Sequence, residues 1–318
     1  MRITVFHAQG AQEAQPAHLN TLLASSLGTI WVDITGPSEE EVRILEEVFH
    51  VHPLAIEDTR NQRQRPKVEE YPDHLFLILS PIGEEQDGLV FRQLDVFVGR
   101  NFIVTVHPAR EEVIEEVWNR IAHSTAPSVS AGYLAYLLLD VTVDGYFPIL
   151  DRIEEEIEEL EDVVLTRPSG ESLSRLFRLK RMLLEVRRVV APQRDMFNIL
   201  TRRDLPFLNH DSLQFYLRDI YDHLLRIMDM LDTFRDIVTS AVELYMSAVS
   251  NRLNQVVNRL TVLTVIIGAL AVITGFYGMN FERTWPPFGA SWGVLFALGS
   301  MGIVTAILLV VFRCLGWY

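Results

Sequence analysis

The residues best placed to do chemistry are four acids spaced seven apart: Asp222, Asp229, Asp236 and Glu243. Seven residues make two helical turns, so this spacing lines up four carboxylates on one helix face. Carboxylate oxygens are the ligands that hard divalent cations prefer. At helical spacing the same face continues through Ser250, Asn254, Val257, Thr261, Thr264, Gly268, Ala271 and Gly275, which are mostly small or polar. The opposite face carries Leu253, Leu260, Leu263, Ile267, Leu270 and Ile273, which suit lipid or a second helix. A small, polar stripe inside an apolar helix has two readings. It can be a face for close helix packing, or it can line a water-filled path. Periodicity alone favours packing, whereas the acids leading into the stripe favour a path for cations.

Other chemistries find no support. There is no phosphate-binding Gly-rich loop ending in Lys-Ser or Lys-Thr, so an ATP-driven pump is not indicated, and there is no HExxH motif or nucleophile triad. His50 and His52 lack an acidic or cysteine partner in sequence and read as ordinary polar residues rather than metal ligands. Cys314 is the only cysteine, which excludes an intrachain disulfide and a cysteine-based zinc site within one chain. The net charge of −14 argues against nucleic acid as a partner.

The element that must carry the stripe is a helix from Ser212 to Tyr277, a stretch with no proline and no glycine before Gly268. At 1.5 Å per residue it is about 100 Å long. A helix of this length needs neighbours to bury it, which points to an oligomer. Its last part belongs to an uncharged run from Leu260 to Met279, and a second such run covers Trp292 to Phe312. Each is long enough to span a bilayer. The link from Asn280 to Ser291 contains Pro286, Pro287 and Gly289 and is expected to form a tight external turn. Two spans return the chain to its starting side. Arg252, Arg259 and Arg313 flank them there, and no signal peptide is apparent, so both termini are expected in the cytoplasm. Trp285, Trp292, Trp317, Tyr277 and Tyr318 fall near the membrane interfaces.

Upstream, strand-like runs occur at Ile3–Phe6, Thr29–Ile34, His74–Leu79, Asp95–Val98 and Phe102–Val106, the last two joined by a Gly99-Arg100-Asn101 turn. Ser38 and Glu41 form a capping-box pattern, and Arg110–Ser124 reads as helix. This predicts a mixed sheet with helices on its faces. Eight carboxylates crowd Asp151–Asp162, around a seam of Ile153, Ile157, Leu160 and Val164. After a Pro168-Ser169-Gly170 break, a basic helix follows with Arg175, Arg178, Lys180, Arg181, Arg187 and Arg188, and with Leu173, Leu176, Leu183 and Val190 as its seam. The two are expected to pair as a hairpin. The predicted organisation is an α/β cytoplasmic domain over 1–130, a helical hairpin over 131–211, and a stalk continuing into the first transmembrane helix over 212–279. An external loop over 280–291, a second transmembrane helix over 292–313 and a cytoplasmic tail over 314–318 complete the chain.

The run Tyr277-Gly278-Met279-Asn280 at the end of the first span closely resembles the YGMN signature of the CorA magnesium-transporter family. Gln64–Glu69 (QRPKVE), Phe215–His223 and Ser247–Asn254 are similar to the family as well. The resemblance implies a funnel-shaped homopentamer in the cell (inner) membrane that carries Mg²⁺, with Co²⁺ and Ni²⁺ as further candidates, gated by intracellular divalent cation. It implies a selectivity filter at Gly278, Met279 and Asn280, and a hydrophobic gate at Asn254, Val257 and Leu260. Glu243 would stand at the inner entrance. Asp219 would bind a regulatory Mg²⁺ between subunits, with Glu84, Glu85 or Asp87 as its partner. A Zn²⁺ transporter of the same fold and a non-conducting, membrane-tethered cation sensor or scaffold are the alternatives. The sequence departs from the family pattern at Gly268, where a bulky gate residue is common, at Val257, which replaces a common Met, and at the C-terminus, which lacks the usual lysine run.

Overall fold

The structure is a computed structural model. It describes residues 1–318 except 8–9, 26–27, 86–87, 124–128, 204, 206, 209–210, 280–284, 287–291 and 318, with backbone only at 211–212. The described chain divides into two compact units, residues 1–160 with 174–239, and residues 161–173 with 240–318.

The first unit opens with β1 (Arg2–His7), β2 (Gly10–Glu13), α1 (Leu19–Ser25), β3 (Thr29–Thr35), α2 (Glu39–Glu47) and α3 (Pro53–Asn61). Next come β4 (Lys67–Glu70), β5 (Leu75–Leu79), β6 (Ile82–Glu85), β7 (Gly88–Phe91), β8 (Leu94–Val98), β9 (Phe102–His107) and α4 (Glu112–Ala122). Seven strands form one sheet in the order β2-β1-β3-β9-β8-β5-β4, and β6 and β7 form a separate hairpin. Within the large sheet β3 and β9 run parallel, with Asp33 opposite Thr105 and Thr35 opposite His107. The remaining pairs are antiparallel, so the sheet is mixed as expected. Every residue of β5 and β8 is buried, which requires cover on both faces. On one face Ile30, Val32, Ile34, Phe76, Ile78, Phe97, Val104 and Val106 pack with Leu19, Val42, Leu45 and Ile56 from α1, α2 and α3. The capping box at Ser38 is fully formed: Ser38 Oγ accepts from Glu41 N, and Glu41 Oε2 accepts from Ser38 N at 2.8 Å.

The helical remainder is α5 (Ala131–Asp144), α6 (Phe147–Thr166), α7 (Gly170–Arg202), α8 (Asp211–Tyr277) and α9 (Gly293–Cys314). A third helix, α5, thus precedes the expected pair. It reads as apolar because it is core: Leu134, Leu138 and Leu139 are buried. Ile153, Ile157, Leu160 and Val164 of α6 are buried as the seam predicted, and so are Leu176, Leu183 and Val190 of α7. Charge pairing between α6 and α7 is narrower than expected. Arg175 binds Glu156 and Glu159, but Arg187 binds Asp232 of α8 instead.

Helix α8 is a single helix of 67 residues. Leu213, Leu217, Ile220, Leu224, Ile227, Leu231, Phe234, Val238 and Ala241 are all buried, at alternating steps of four and three. That is a heptad seam on its a and d positions. The same register continues as Tyr245, Ala248, Arg252, Gln255 and Arg259, so the apolar seam stops at Ala241.

Among the described residues, three helical stretches are long and apolar enough to cross a membrane: Ala131–Thr166, Leu213–Tyr277 and Gly293–Cys314. Burial separates them. The apolar window of the first is 67% buried, whereas those of the other two are 6% and 0% buried. The first is therefore a core element, and the other two present bare apolar surface that needs lipid or copies of the chain. At the start of α9, Trp285, Trp292 and Phe296 meet edge to face, the amphipathic ring cluster typical of a membrane interface.

Candidate functional site

With the buried seam at a and d, the acids Asp222, Asp229, Asp236 and Glu243 occupy f, on the opposite side of α8. All four are exposed. Position f continues as Ser250, Val257, Thr264, Ala271 and Gly278, and position c as Asn254, Thr261, Gly268 and Gly275. Of the predicted path residues, Ser250, Asn254, Val257, Leu260, Thr264, Gly268 and Ala271 are exposed and Thr261 is partly so. Leu260 falls at b, beside the stripe rather than in it.

The threonines of this span have their single hydrogen committed. Thr261 Oγ1 donates to Val257 O at 2.9 Å, Thr264 Oγ1 to Leu260 O at 2.8 Å, and Thr274 Oγ1 to Leu270 O at 3.0 Å. Each hydroxyl therefore turns only lone pairs outward, as a cation or its water shell requires. Gly268 and Gly275 have open space where a side chain would be, which keeps the stripe narrow in profile.

Helix α8 ends by tightening. The amide of Gly278 donates to Thr274 O at 2.9 Å and lies 3.2 Å from Gly275 O, and Met279 N donates to Phe276 O at 3.3 Å. A Cβ on Gly278 would stand 3.2 Å from Thr274 O, so close approach explains the glycine here. Met279 is 53% exposed. Asn280 lies outside the described residues, as does Asp87.

Asp219 is exposed on α8, and beside it stands a residue that sequence reasoning missed. His223 Nε2 lies 3.9 Å from Asp219 Oδ2, and His223 Nδ1 lies 3.6 Å from Asp144 Oδ1. Arg120 closes this cluster, at 2.7 Å from Asp140 and 3.4 Å from Asp144. The signal was present, since His223 stands four residues after Asp219 and shares its helix face. Within the chain Glu84 pairs with Arg152, and Glu85 with Arg92. Among the described residues no group of three or more His, Cys, Asp or Glu side chains is arranged to hold a metal within one chain.

His52 has a structural task. Its Nδ1 accepts from Leu54 N at 3.2 Å and caps α3. In the neutral ring that leaves a hydrogen on Nε2, which is then a donor and not a metal ligand.

A family model described as "CorA-like Mg2+ transporter protein" matches residues 26–313. The cobalt/magnesium transport protein CorA of Thermotoga maritima is 36% identical over 292 residues, covering 90% of this chain and 83% of that protein. The zinc transport protein ZntB of Yersinia enterocolitica is a more distant relative, 26% identical over 171 residues, covering 53% of this chain and 51% of that protein. The solved structure of the CorA magnesium transporter from Methanocaldococcus jannaschii superposes with a TM-score of 0.85 over 100% of this chain and 99% of that one, at 24% identity. A matching model that spans most of the chain, and a relative above a third identical over nearly all of it, place the protein in the CorA-like Mg²⁺ transporter family.

Proposed function

We propose that the chain is one subunit of a homopentameric channel that lets Mg²⁺ cross the cell (inner) membrane, with Co²⁺ and Ni²⁺ as lesser substrates. The observation that carries this reading is the unbroken c/f face of α8. It passes from exposed acids into small and oxygen-bearing residues with no bulky side chain to plug it between Thr261 and Gly275. A strict seven-residue repeat drifts about 20° per heptad on a straight helix, so copies that twist around a common axis keep the stripe inward. Five copies would place Ser250, Asn254, Val257, Thr261, Thr264, Gly268 and Ala271 along the pore, with Glu243 at its inner mouth and Leu260 beside the gate.

Gly278, Met279 and Asn280 would form the outer filter. Mg²⁺ sheds water reluctantly, so a ring of amide oxygens at Asn280 can hold the hydrated ion through its shell and still release it. Both termini lie in the cytoplasm in this reading. Two charges moving inward through 100 mV gain about 4.6 kcal/mol, which supports uptake without fuel. Regulatory Mg²⁺ at Asp219, between subunits, favours the closed state through its higher affinity for it. The test is dye-monitored Mg²⁺ uptake into liposomes holding the purified protein, with Zn²⁺, Co²⁺ and Ni²⁺ as competitors. Uptake blocked by Co²⁺ and Ni²⁺ supports the reading. A sealed, folded oligomer with no uptake overturns it in favour of a sensor or scaffold, and faster Zn²⁺ than Mg²⁺ flux overturns the choice of ion.

A further inference from the structure

His107 is the last residue of β9, and it is 2% exposed. Its Nδ1 lies 2.5 Å from the carbonyl oxygen of Ala109, and its Nε2 lies 3.1 Å from Oδ1 of Asp33 on β3. A carbonyl oxygen can only accept, and so can an ionised carboxylate. The neighbouring bonds fix the direction at Asp33. The Trp31 indole, a donor only, gives its hydrogen to Thr105 Oγ1 at 3.0 Å, and Thr105 Oγ1 donates to Asp33 Oδ1 at 2.5 Å. A neutral imidazole has one N–H and would leave one of its two nitrogens facing an acceptor lone pair to lone pair. The imidazolium satisfies both contacts.

The groups facing this ring come from four places. Asp33 projects from β3, and Arg2 from β1 lies over the Trp118 ring at 4.3 Å. Arg110 and Glu115, at the start of α4, pair with each other. Glu111 precedes α4; it is 4% exposed, its Oε2 makes no hydrogen bond, and Arg92 is 4.0 Å away. Asp33, His107, Arg2, Arg110, Glu111 and Glu115 line a cavity of about 180 Å³ at the carboxyl ends of the parallel strands. Burial opposes the charge on His107, but the hydrogen bonds to Asp33 and Ala109 and the negative charges of Asp33 and Glu111 outweigh it and raise its pKa above the ordinary value. The backbone joins in, because Gly36 N donates to His107 O at 2.8 Å. One ring thus ties β3, β9 and the segment leading into α4.

We propose that His107 is a proton-operated latch: as imidazolium it clamps the start of α4 to the end of β3, and loss of one proton to water frees Ala109 and loosens residues 109–114. The sign follows from the raised pKa. The contribution is complete below the unfolded value of about 6.5 and disappears as pH rises through the folded value.

The test is histidine C2-hydrogen exchange, read by mass spectrometry on the full-length protein, together with amide exchange across 107–115. The expected midpoint for His107 lies above about 6.5. Amide protection of 109–114, corrected for the intrinsic base-catalysed rate, should fall by about tenfold through the same window, the loss expected for one charge-assisted hydrogen bond. In His107→Gln that step disappears whatever the absolute protection, and in Asp33→Asn the midpoint of His107 drops. A wild-type midpoint at or below the unfolded value overturns the latch, as does a step that persists in His107→Gln. Neither readout depends on ion flux.

Discussion

Lys67 Nζ lies 2.6 Å from Asp58 Oδ2, joining the first residue of β4 to α3. The same ammonium is 2.6 Å from Glu69 Oε1, and Glu69 accepts from Tyr71 Oη at 2.8 Å. Burial works against the lysine charge, yet the hydrogen bonds to Asp58 and Glu69 raise its pKa above the ordinary value. This is what the QRPKVE stretch does locally. Gln64 joins in, since its backbone N–H donates to the Gln93 side chain at 2.9 Å. Lys67→Met should therefore destabilise the fold by about 1–3 kcal/mol, because it leaves two half-buried carboxylates facing each other. Thermal unfolding of the purified protein checks this, and an unchanged midpoint would count against the clamp.

Beside that clamp, Asp95 is 1% exposed and accepts from Gln93 Nε2 at 2.8 Å. Burial pushes its carboxyl up to about 7, against the hydrogen bonds from Gln93 and Thr59 that lower it. The folded state then holds a proton that the unfolded chain has already lost, so stability falls as pH rises from about 4 to 7 and levels off above. Asp95→Asn should remove this slope and gain about 1–3 kcal/mol at pH 8. Denaturant unfolding of both proteins across that range decides it.

The regulatory site proposed at Asp219 makes a separate prediction. Asp219→Ala should weaken the Mg²⁺-dependent protease protection that this reading predicts, with His223→Ala giving a smaller loss because it stands 3.9 Å from Asp219. Equal protection in mutant and wild type would leave Asp219 without a regulatory role.

For the proposed outer filter, Asn280→Ala should abolish selective Mg²⁺ uptake in liposomes while leaving assembly intact. Normal flux in that variant would remove the amide ring from the account.

Much of this was legible in the sequence where one physical signal dominated. The long helix was expected from Ser212 and runs from Asp211, because nothing in that stretch breaks a helix. The Ser38 cap and the strands β1, β3, β5, β8 and β9 followed from capping chemistry and β-branched apolar runs. The strands that were missed, β2, β4, β6 and β7, have no buried residue, so no apolar alternation marks them. Lys67 and His223 were missed for another reason. Their partners Asp58 and Asp144 lie on other elements and meet them only in the folded chain, whereas the four-residue spacing of His223 from Asp219 was legible.

Helix α8 has no proline, and its first glycine is Gly268. Sharp bends in helices arise at such residues or at inserted turns, so the rod between the acids and the threonines offers no hinge. In the proposed channel, opening would then be a turn or lean of this helix in each subunit and not a bend at a proline or glycine within that stretch.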